Sequence, residues 1–402
     1  MAAIGLTTVS PEADINLKAD APTIQKYVQQ QNGTWGTETD VNIGDTVNFS
    51  LRSTVPNTFG YSSYTFTIHD QMSAGLTFDP DNVKVYMGPV TVSTPPSTAD
   101  QMVLEDDAYL VNSDDYELVT DGLDDGCTFE IRFDPVKFLQ YTAGDTILVT
   151  YSAVLNENAA VADLTADPGT ILMNGYPNNP NSTWLDYSTN PYDTSEKAST
   201  PKHTVIVYTY MVEVRKVDGK TGEPLSGATF ALFKNETDAN AAIDNPTTLE
   251  NALTFSTKTV TNDAAAIKDP GKDVTVCTPS AGGDAVVSVS KDGLLQFYGL
   301  DDGTYYLVEI AAPAGYNKLT AATPVVIKGL VSDVAPVGGI EPAMMKIGSA
   351  PDVVVENNSG TKLPETGGIG RTIFYIGGSF LVMFAGLALT IRRKIEARNY
   401  IR

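Results

Sequence analysis

Short runs of alternating apolar and polar residues make up the body of the chain. Val, Thr, Tyr and Phe are frequent in runs such as "DTVNFSLRSTV", "TILVTYSAVL" and "TYYLVEI", and clusters of Asp, Asn, Gly and Pro separate them. A period of two between turn residues predicts antiparallel strands. Over 402 residues this pattern predicts an all-β chain with two tandem β-sandwich domains, joined near the polar stretch at residues 188–203.

Three polar residues interrupt apolar strand faces in the second half. The run "VEVRKVDGKTG" places Lys216 on the face of two valines, "TYYLVEIAAP" places Glu309 with a tyrosine and a leucine, and "DVVVENN" places Asn357 with two valines. Because an unpaired buried charge is costly, these three side chains should meet. One interpretation is a salt bridge beside an amide.

The other interpretation is a covalent bond. Burial lowers the pKa of a lysine and raises that of a carboxylic acid. A neutral amine at Lys216 can attack the side-chain carbonyl of Asn357, and a protonated Glu309 can polarise that carbonyl and pass a proton to the departing ammonia. The product is a Lys–Asn isopeptide bond.

These residues lie in a segment that resembles the Cna B-type domains of Gram-positive pilins and adhesins. The resemblance covers about Val212 to Ser359, within a domain predicted at residues 206–359, and includes "GEPLSGATFALFK" and "YYLVEIAAPAGY". It implies an immunoglobulin-like β-sandwich in which Lys216 and Asn357 form the bond and Glu309 is the promoting acid.

A second lysine and acid occur on inward faces of the first half. "DAPTIQKYV" places Lys26 between two apolar neighbours on its face, and "YTFTIHDQMSAGLTF" does the same for Asp70. Residues 14–205 resemble the isopeptide-forming D2-type domain of fimbrial proteins, which implies Lys26 as nucleophile and Asp70 as acid. That family has Tyr-Ser-Asn near the domain end, whereas "LDYSTNP" has Thr189 at the Asn position. Asn190 becomes the expected partner after a one-residue shift or bulge; otherwise Lys26 and Asp70 form only an ion pair.

The C-terminal residues 360–402 predict a membrane segment. Residues 372–391 contain no Asp, Glu, Lys or Arg, and as a helix they span about 30 Å, enough for a bilayer core. The basic tail that follows marks the cytoplasmic side, so the residues before the segment are outside the membrane. A buried core helix is the alternative interpretation.

A pentapeptide precedes this segment. Its residues Leu363, Pro364, Glu365, Thr366 and Gly367 resemble the LPxTG sorting signal of Gram-positive surface proteins. The resemblance implies that a sortase cuts between Thr366 and Gly367 and transfers the Thr carboxyl to an amine of peptidoglycan or of a neighbouring pilin subunit. It also implies a single-pass membrane precursor and a final location on the cell wall.

At the other end, residues 1–13 open with "MAAIGLTTV", which is either the remnant of a signal peptide or a disordered tail.

Composition excludes several classes. A net charge of −23 argues against a nucleic-acid partner. Two cysteines far apart argue against a disulfide framework, and neither of the two histidines has metal-type spacing along the chain, so we expect no metal and no cofactor.

The acidic stretch at residues 105–126 lacks the EF-hand spacing, which favours a solvated surface over a calcium loop. No motif of a common enzyme class is present, so we expect a chain that is not an enzyme.

The resemblances together imply a wall-anchored, pilin-like structural subunit. The alternatives are a monomeric wall-anchored adhesin with a host or matrix ligand and, from another class, a wall-tethered enzyme. A pilin shaft subunit needs an acceptor lysine, and the family's Tyr-Pro-Lys motif is missing beside "VIVYTY". Lys18 and Lys202 are the candidate acceptors near the right borders.

Overall fold

The computed structural model describes residues 21–88, 90–91, 103–104, 109–160, 172–173, 176–177, 179–262, 269–329 and 353–360. In these residues strands predominate and one short α-helix occurs, so the all-β prediction is confirmed. None of the helices in the described ranges has the length and apolar character needed to cross a bilayer. The predicted membrane segment at residues 372–391 lies outside those ranges.

Residues 21–208, called here the N-terminal unit, contain seventeen strands and two 3-10 helices in the described ranges. The strands are β1 (Ile24–Gln29), β2 (Trp35–Gly36), β3 (Glu38–Asp40), β4 (Thr46–Thr54), β5 (Phe66–Met72), β6 (Leu76–Gly88), β7 (Val90–Thr91), β8 (Val103–Leu104), β9 (Tyr109–Leu110), β10 (Tyr116–Val119), β11 (Phe129–Phe133), β12 (Thr146–Leu155), β13 (Leu172–Met173), β14 (Tyr176–Pro177), β15 (Asn179–Ser188), β16 (Lys197–Ser199) and β17 (His203–Tyr208). The 3-10 helices are Ser113–Asp115 and Lys137–Gln140.

Two large sheets build this unit. One has six strands in the order β2-β1-β4-β12-β6-β9, and the other has seven, in the order β10-β11-β5-β15-β17-β3 with β16 beside β15. Apolar residues from both sheets form a single buried cluster that includes Phe49 and Leu51 from the first sheet and Phe66 and Phe129 from the second. Burial of these side chains is the main force that holds the sheets face to face.

Residues 210–360, called the C-terminal unit, contain nine strands and one α-helix in the described ranges. The elements are β18 (Tyr210–Asp218), β19 (Thr229–Phe233), α1 (Glu236–Asp244), β20 (Phe255–Thr261), β21 (Asp273–Pro279), β22 (Val287–Ser288), β23 (Leu294–Leu300), β24 (Gly303–Ala311), β25 (Thr323–Ile327) and β26 (Val353–Asn357). They form a five-stranded sheet, β20-β21-β23-β18-β26, and a four-stranded sheet, β22-β19-β24-β25. A second apolar cluster draws on both sheets.

The two units meet without a long linker. The last residues of β17 still pair with β3, where Tyr208 lies opposite Asp40, and β18 begins after Thr209. The boundary predicted at residues 205 and 206 therefore falls inside β17. The polar stretch at 188–203 looked like a linker because it is hydrophilic, but it contains β16, an exposed edge strand paired with β15.

Close backbone contacts join the units. The amide of Ile43 donates to the carbonyl of Gly299 at 2.9 Å, and the amide of Asp301 donates to the side-chain oxygen of Asn42 at 3.2 Å. Gly299 has φ of +91°, and a Cβ at this position would collide with Ile43, so glycine is required there for two reasons.

Candidate functional site

A buried lysine, a carboxyl and an amide meet in the core of the N-terminal unit. Lys26 comes from β1 in the six-stranded sheet, whereas Asp70 on β5 and Asn181 on β15 come from the facing seven-stranded sheet. Asp70 lies opposite Thr183, two positions from Asn181, so the acid and the amide share the inward face of neighbouring strands. All three side chains are fully buried.

The lysine amine contacts both partners directly. Nζ of Lys26 donates to Oδ2 of Asp70 and to Oδ1 of Asn181, each at 2.5 Å. The hydroxyl of Tyr151 donates to the same Asp70 oxygen at 2.6 Å and accepts from Nδ2 of Asn181 at 3.2 Å. The rings of Phe49 and Tyr151 lie with their centroids 5.6 and 5.5 Å from Nζ, so the site has apolar walls.

Burial shifts the acid–base balance of this site. It lowers the pKa of Lys26 to about 8, because desolvation outweighs the opposing attraction of Asp70. It raises the pKa of Asp70, again chiefly by desolvation and against the pull of Lys26. Both shifts favour the neutral amine and the neutral acid, which are the forms that nucleophilic attack on an amide requires.

The prediction of Asn190 as the amide partner is wrong in its geometry. Asn190 follows the end of β15, where its side chain bonds Glu196 at 3.2 Å and accepts from the amide of Tyr192 at 2.9 Å. The register fixes Asp70 opposite Thr183, so Asn190 lies seven residues further along, roughly 20 Å away at the rise of an extended strand. A one-residue bulge cannot close that gap, and Asn181 takes the position beside the lysine.

The C-terminal unit brings a second lysine, acid and amide together. Lys216 on β18 and Asn357 on β26 lie on neighbouring parallel strands, with Lys216 opposite Val355 and Asp218 opposite Asn357. The lysine and the amide are therefore two positions apart on one face. Glu309 on β24 belongs to the facing sheet. Lys216, Glu309 and Asn357 are 0%, 2% and 1% exposed, so the core contains all three polar groups.

The contacts in this second site are arranged differently. Nζ of Lys216 donates to the backbone carbonyl of Val355 at 2.9 Å and to that of Val217 at 3.3 Å. Nδ2 of Asn357 donates to Oε2 of Glu309 at 2.9 Å and to the carbonyl of Asn317 at 2.5 Å. The amide nitrogen, which would leave as ammonia, thus faces the carboxyl.

Two buried oxygens of this site have no hydrogen-bond partner, Oε1 of Glu309 and Oδ1 of Asn357. Such atoms are costly in a core and call for an explanation. Both oxygens can only accept hydrogen bonds when the carboxyl of Glu309 is ionised. A proton on that carboxyl would turn it into a hydrogen-bond donor. Burial also lowers the pKa of Lys216, against the attraction of Glu309.

Several predicted residues have other positions. Lys18 and the pentapeptide Leu363, Pro364, Glu365, Thr366 and Gly367 lie outside the described residues. Lys202 is exposed and donates to the side chain of Gln71 at 2.8 Å, with its Nζ 4.0 Å from the ring centroid of Trp184.

The structure also adds residues that the sequence analysis missed. Asn181 and Tyr151 complete the first site, and the carbonyl of Asn317 holds the amide of the second. The histidines lack metal-type spacing along the chain, but the fold brings other potential ligands to one of them. His69 lies beside Asp125, Cys127 and Glu130, residues that are distant along the chain.

Comparison with known proteins finds a family model that matches part of the C-terminal unit. Residues 210–335, which begin at the first residue of β18, match the SpaA family model, described as a prealbumin-like fold domain. The similarities support a pilin-type subunit.

A curated relative extends the similarity to the N-terminal unit. The trypsin-resistant surface T6 protein of Streptococcus pyogenes serotype M6 is 27% identical over 259 residues, which are 60% of this chain and 41% of the relative. The matched region thus spans less than half the length of that protein.

Two solved backbone pilins are similar to this chain. The T6 backbone pilin of Streptococcus pyogenes has a TM-score of 0.48 and 17% identity, over 85% of this chain and 70% of that one. The group B streptococcus pilus 2b backbone protein has a TM-score of 0.45 and 22% identity, over 85% and 99%.

Proposed function

We propose that this chain is a structural pilin subunit of a Gram-positive cell surface, strengthened by one Lys–Asn isopeptide bond in each unit. The observation that carries the proposal is the burial of a lysine, an acid and an amide near one another at two separate places. Buried charged and amide groups weaken a core when unpaired, and a covalent bond removes both the charge and the desolvation cost.

In the C-terminal unit, the neutral amine of Lys216 attacks Cγ of Asn357. The C–Nδ2 bond then breaks, and Glu309, which contacts Nδ2, supplies a proton to the departing ammonia. The amine loses its proton to the carboxylate, so Glu309 ends as it began. The net change is one new amide bond and one ammonia released.

In the N-terminal unit, Asp70 contacts the amine of Lys26 but not the amide nitrogen of Asn181 directly. The hydroxyl of Tyr151 lies between them, donating to Asp70 and accepting from Nδ2. We assign Tyr151 as the relay: its hydroxyl turns to the leaving nitrogen, gives it a proton and takes the proton of Asp70, while Lys26 attacks Cγ of Asn181 and returns a proton to Asp70. The atoms balance as in the other site.

Each bond would resist extension of its unit. In the C-terminal unit the bond joins β18 to β26, the first and last strands there among the described residues, and in the N-terminal unit it joins β1 to β15. Closing a loop of about 140 to 155 residues stabilises by about 5 kcal/mol in the chain-entropy model used for disulfides. An amide cannot be reduced, which suits a subunit pulled from both ends.

Anchoring is the second part of the proposal. A sortase would cleave between Thr366 and Gly367 and transfer the Thr carboxyl to peptidoglycan or to a lysine of a neighbouring subunit. Lys202 is exposed close to the start of β17, which supports it as an acceptor, and Lys18 stays a second candidate. A monomeric wall-anchored adhesin is the alternative function.

Gel electrophoresis of cell-wall extracts under denaturing conditions tests this proposal. Wild-type cells should give a ladder of high-mass species that is absent from sortase-deleted cells. Thr366→Ala should abolish the ladder and leave the protein in the membrane fraction. A single wall-released band would favour the monomeric adhesin, and normal wall attachment of Thr366→Ala would reject the sorting role.

A further inference from the structure

Four potential metal ligands converge on the outer face of the seven-stranded sheet. His69 on β5 lies opposite Glu130 on β11 in the strand register, and the loop before β11 brings Asp125 and Cys127 over the same face. One ligand atom from each of the four residues lies within 4.8 Å of the other three. The cluster is separate from the isopeptide site, because His69 and its neighbour Asp70 point to opposite faces of β5.

The two carboxylates each turn one oxygen toward the histidine. Oδ2 of Asp125 lies 2.9 Å from Nδ1 of His69, while its Oδ1 accepts the backbone amide of Cys127 at 3.0 Å. Oε1 of Glu130 lies 3.3 Å from the same Nδ1, while its Oε2 accepts from Arg132 at 2.6 Å. One oxygen of each carboxylate is thus held by a hydrogen bond from the protein, and the other lies next to Nδ1 of His69.

The hydrogens available do not satisfy this arrangement. Nδ1 of His69 is surrounded by three acceptor atoms, the third being Sγ of Cys127 at 3.6 Å, and a protonated ring has a single hydrogen at Nδ1. Sγ of Cys127 also lies 3.1 Å from Oδ2 of Asp125. A cation between these atoms would satisfy all four donors at once.

The spacing and the donor types select the cation. Zinc–ligand bonds of about 2.0–2.3 Å in a tetrahedron place the ligand atoms about 3.3–3.7 Å from one another. Four of the six distances between the ligand atoms are 2.9 to 3.6 Å, near that edge length, and all six lie within 4.8 Å. A thiolate and an imidazole favour zinc, whereas calcium and magnesium prefer oxygen ligands alone. We propose that His69, Asp125, Cys127 and Glu130 bind one Zn²⁺ ion.

Two neighbours flank the imidazole. Oδ2 of Asp186 on β15 lies 3.3 Å from Nε2 of His69, a charge-pair distance without hydrogen-bond geometry. The Trp184 ring stacks on the imidazole at 4.9 Å with 4° between the planes. A proton on Nε2 facing Asp186 leaves the lone pair of Nδ1 directed at the metal.

Four protein ligands make a closed, structural site. The metal ties the loop at residues 125–127 to β5 and β11, the part of the sheet that also holds Asp70. Binding replaces the proton of the Cys127 thiol, which goes to solvent.

Metal titration of the full chain tests the proposal. After removal of metal with a chelator, equilibrium dialysis against Zn²⁺ should give one ion per chain. Co²⁺ should give the intense visible bands of a tetrahedral site together with a thiolate charge-transfer band. Cys127→Ser should abolish the charge-transfer band and weaken Zn²⁺ binding at least tenfold.

Cys277→Ala is the matched control, because Cys277 is the other thiol of the chain and is buried in the C-terminal unit. It should bind Zn²⁺ as the unmutated protein does. Replacing the buried His69 could unfold the protein, so the test uses the partly exposed Cys127. A melting curve without metal should show that Cys127→Ser is folded. The proposal is overturned by a chain that binds no Zn²⁺, by equal affinity in Cys127→Ser, or by Ca²⁺ competing at equal concentration.

Discussion

The two candidate cross-link sites use the same three kinds of side chain in different geometries. In the N-terminal unit, Lys26 reaches across the core to an acid and an amide on the facing sheet, and it contacts both at 2.5 Å. In the C-terminal unit the lysine and amide lie on neighbouring strands of one sheet, and the acid Glu309 reaches across to them. One acid thus contacts the attacking amine, and the other contacts the leaving nitrogen.

This difference shows which requirement is shared. Both sites place the polar groups among apolar neighbours, where burial favours the neutral amine. In the proposed reactions the proton passes directly through Glu309 in one unit and through Tyr151 in the other. The local strand arrangement would then determine the proton route, and burial would determine the reactivity of the amine.

Replacing the lysine of each site should have the largest effect, which is a loss of stability in the unit that holds that lysine. Lys26→Met removes the cross-link of the N-terminal unit, worth about 5 kcal/mol, and with it the side-chain contacts of Nζ to Asp70 and Asn181. Lys216→Met removes the cross-link of the C-terminal unit, where Nζ donates to backbone carbonyls.

Both tryptophans, Trp35 and Trp184, lie in the N-terminal unit, so tryptophan fluorescence during urea unfolding reports that unit alone. The fluorescence transition should fall strongly for Lys26→Met and stay in place for Lys216→Met. Equal shifts of this transition in the two variants would contradict the comparison.

Amide replacement distinguishes the two asparagines of the N-terminal unit. Asn181→Ala should prevent the bond of that unit and lower its stability by about 5 kcal/mol. Asn190→Ala, the matched control on an exposed turn, should keep the bond and change stability by less than about 0.5 kcal/mol. Intact mass measures the bond, since each one formed releases one ammonia. A bond lost in Asn190→Ala but kept in Asn181→Ala would restore the original sequence prediction.

Replacement of the relay sharpens the contrast in proton routes. Tyr151→Phe keeps the ring beside Lys26 but removes the hydroxyl between Asp70 and Asn181. We expect bond formation in the N-terminal unit to slow by about 100-fold, while the C-terminal unit is unaffected. Mass spectra taken at intervals after expression follow both reactions in one sample. An unchanged rate in the N-terminal unit would remove Tyr151 from the route.

The junction between the units gives a pH test that neither cross-link should influence. Burial, followed by the charges of Asp40 and Asp302, raises the pKa of Asp301 to about 7. Because this pKa lies above the unfolded value of 3.8, the stabilising contribution is complete below about pH 4 and is lost as pH rises through 7.

Asp301→Asn should remove that dependence. Between pH 4 and pH 8 the variant should therefore lose less stability than the unmutated protein. Thermal melting across this range measures it. A variant and an unmutated protein with parallel pH curves would contradict the assignment.

The sequence predicted the C-terminal site because each of its residues lies on a strand with clear alternation. Lys216, Glu309 and Asn357 each share a face with apolar residues that the structure buries. Alternation could not identify the amide of the N-terminal site, because β15 is buried on both faces around Asn181. The register of β15 against β5 decides the partner, and no local pattern specifies that register.

The histidine cluster was missed for a related reason. Metal motifs are recognised by close spacing along the chain, whereas His69 and Glu130 meet only as cross-strand neighbours of β5 and β11. Asp125 and Cys127 are close to Glu130 in sequence, but a histidine about 55 residues earlier gives no local signal.

The intact mass of the purified chain, followed by peptide mapping, tests the central claim most directly. The account predicts a mass lower than the sequence mass by two ammonias, with Lys26 linked to Asn181 and Lys216 linked to Asn357 in the digest. Glu309→Ala should retain one of those ammonias and lose only the second link. A mass equal to that of the sequence would contradict the account, since both lysines would then be buried without a covalent bond.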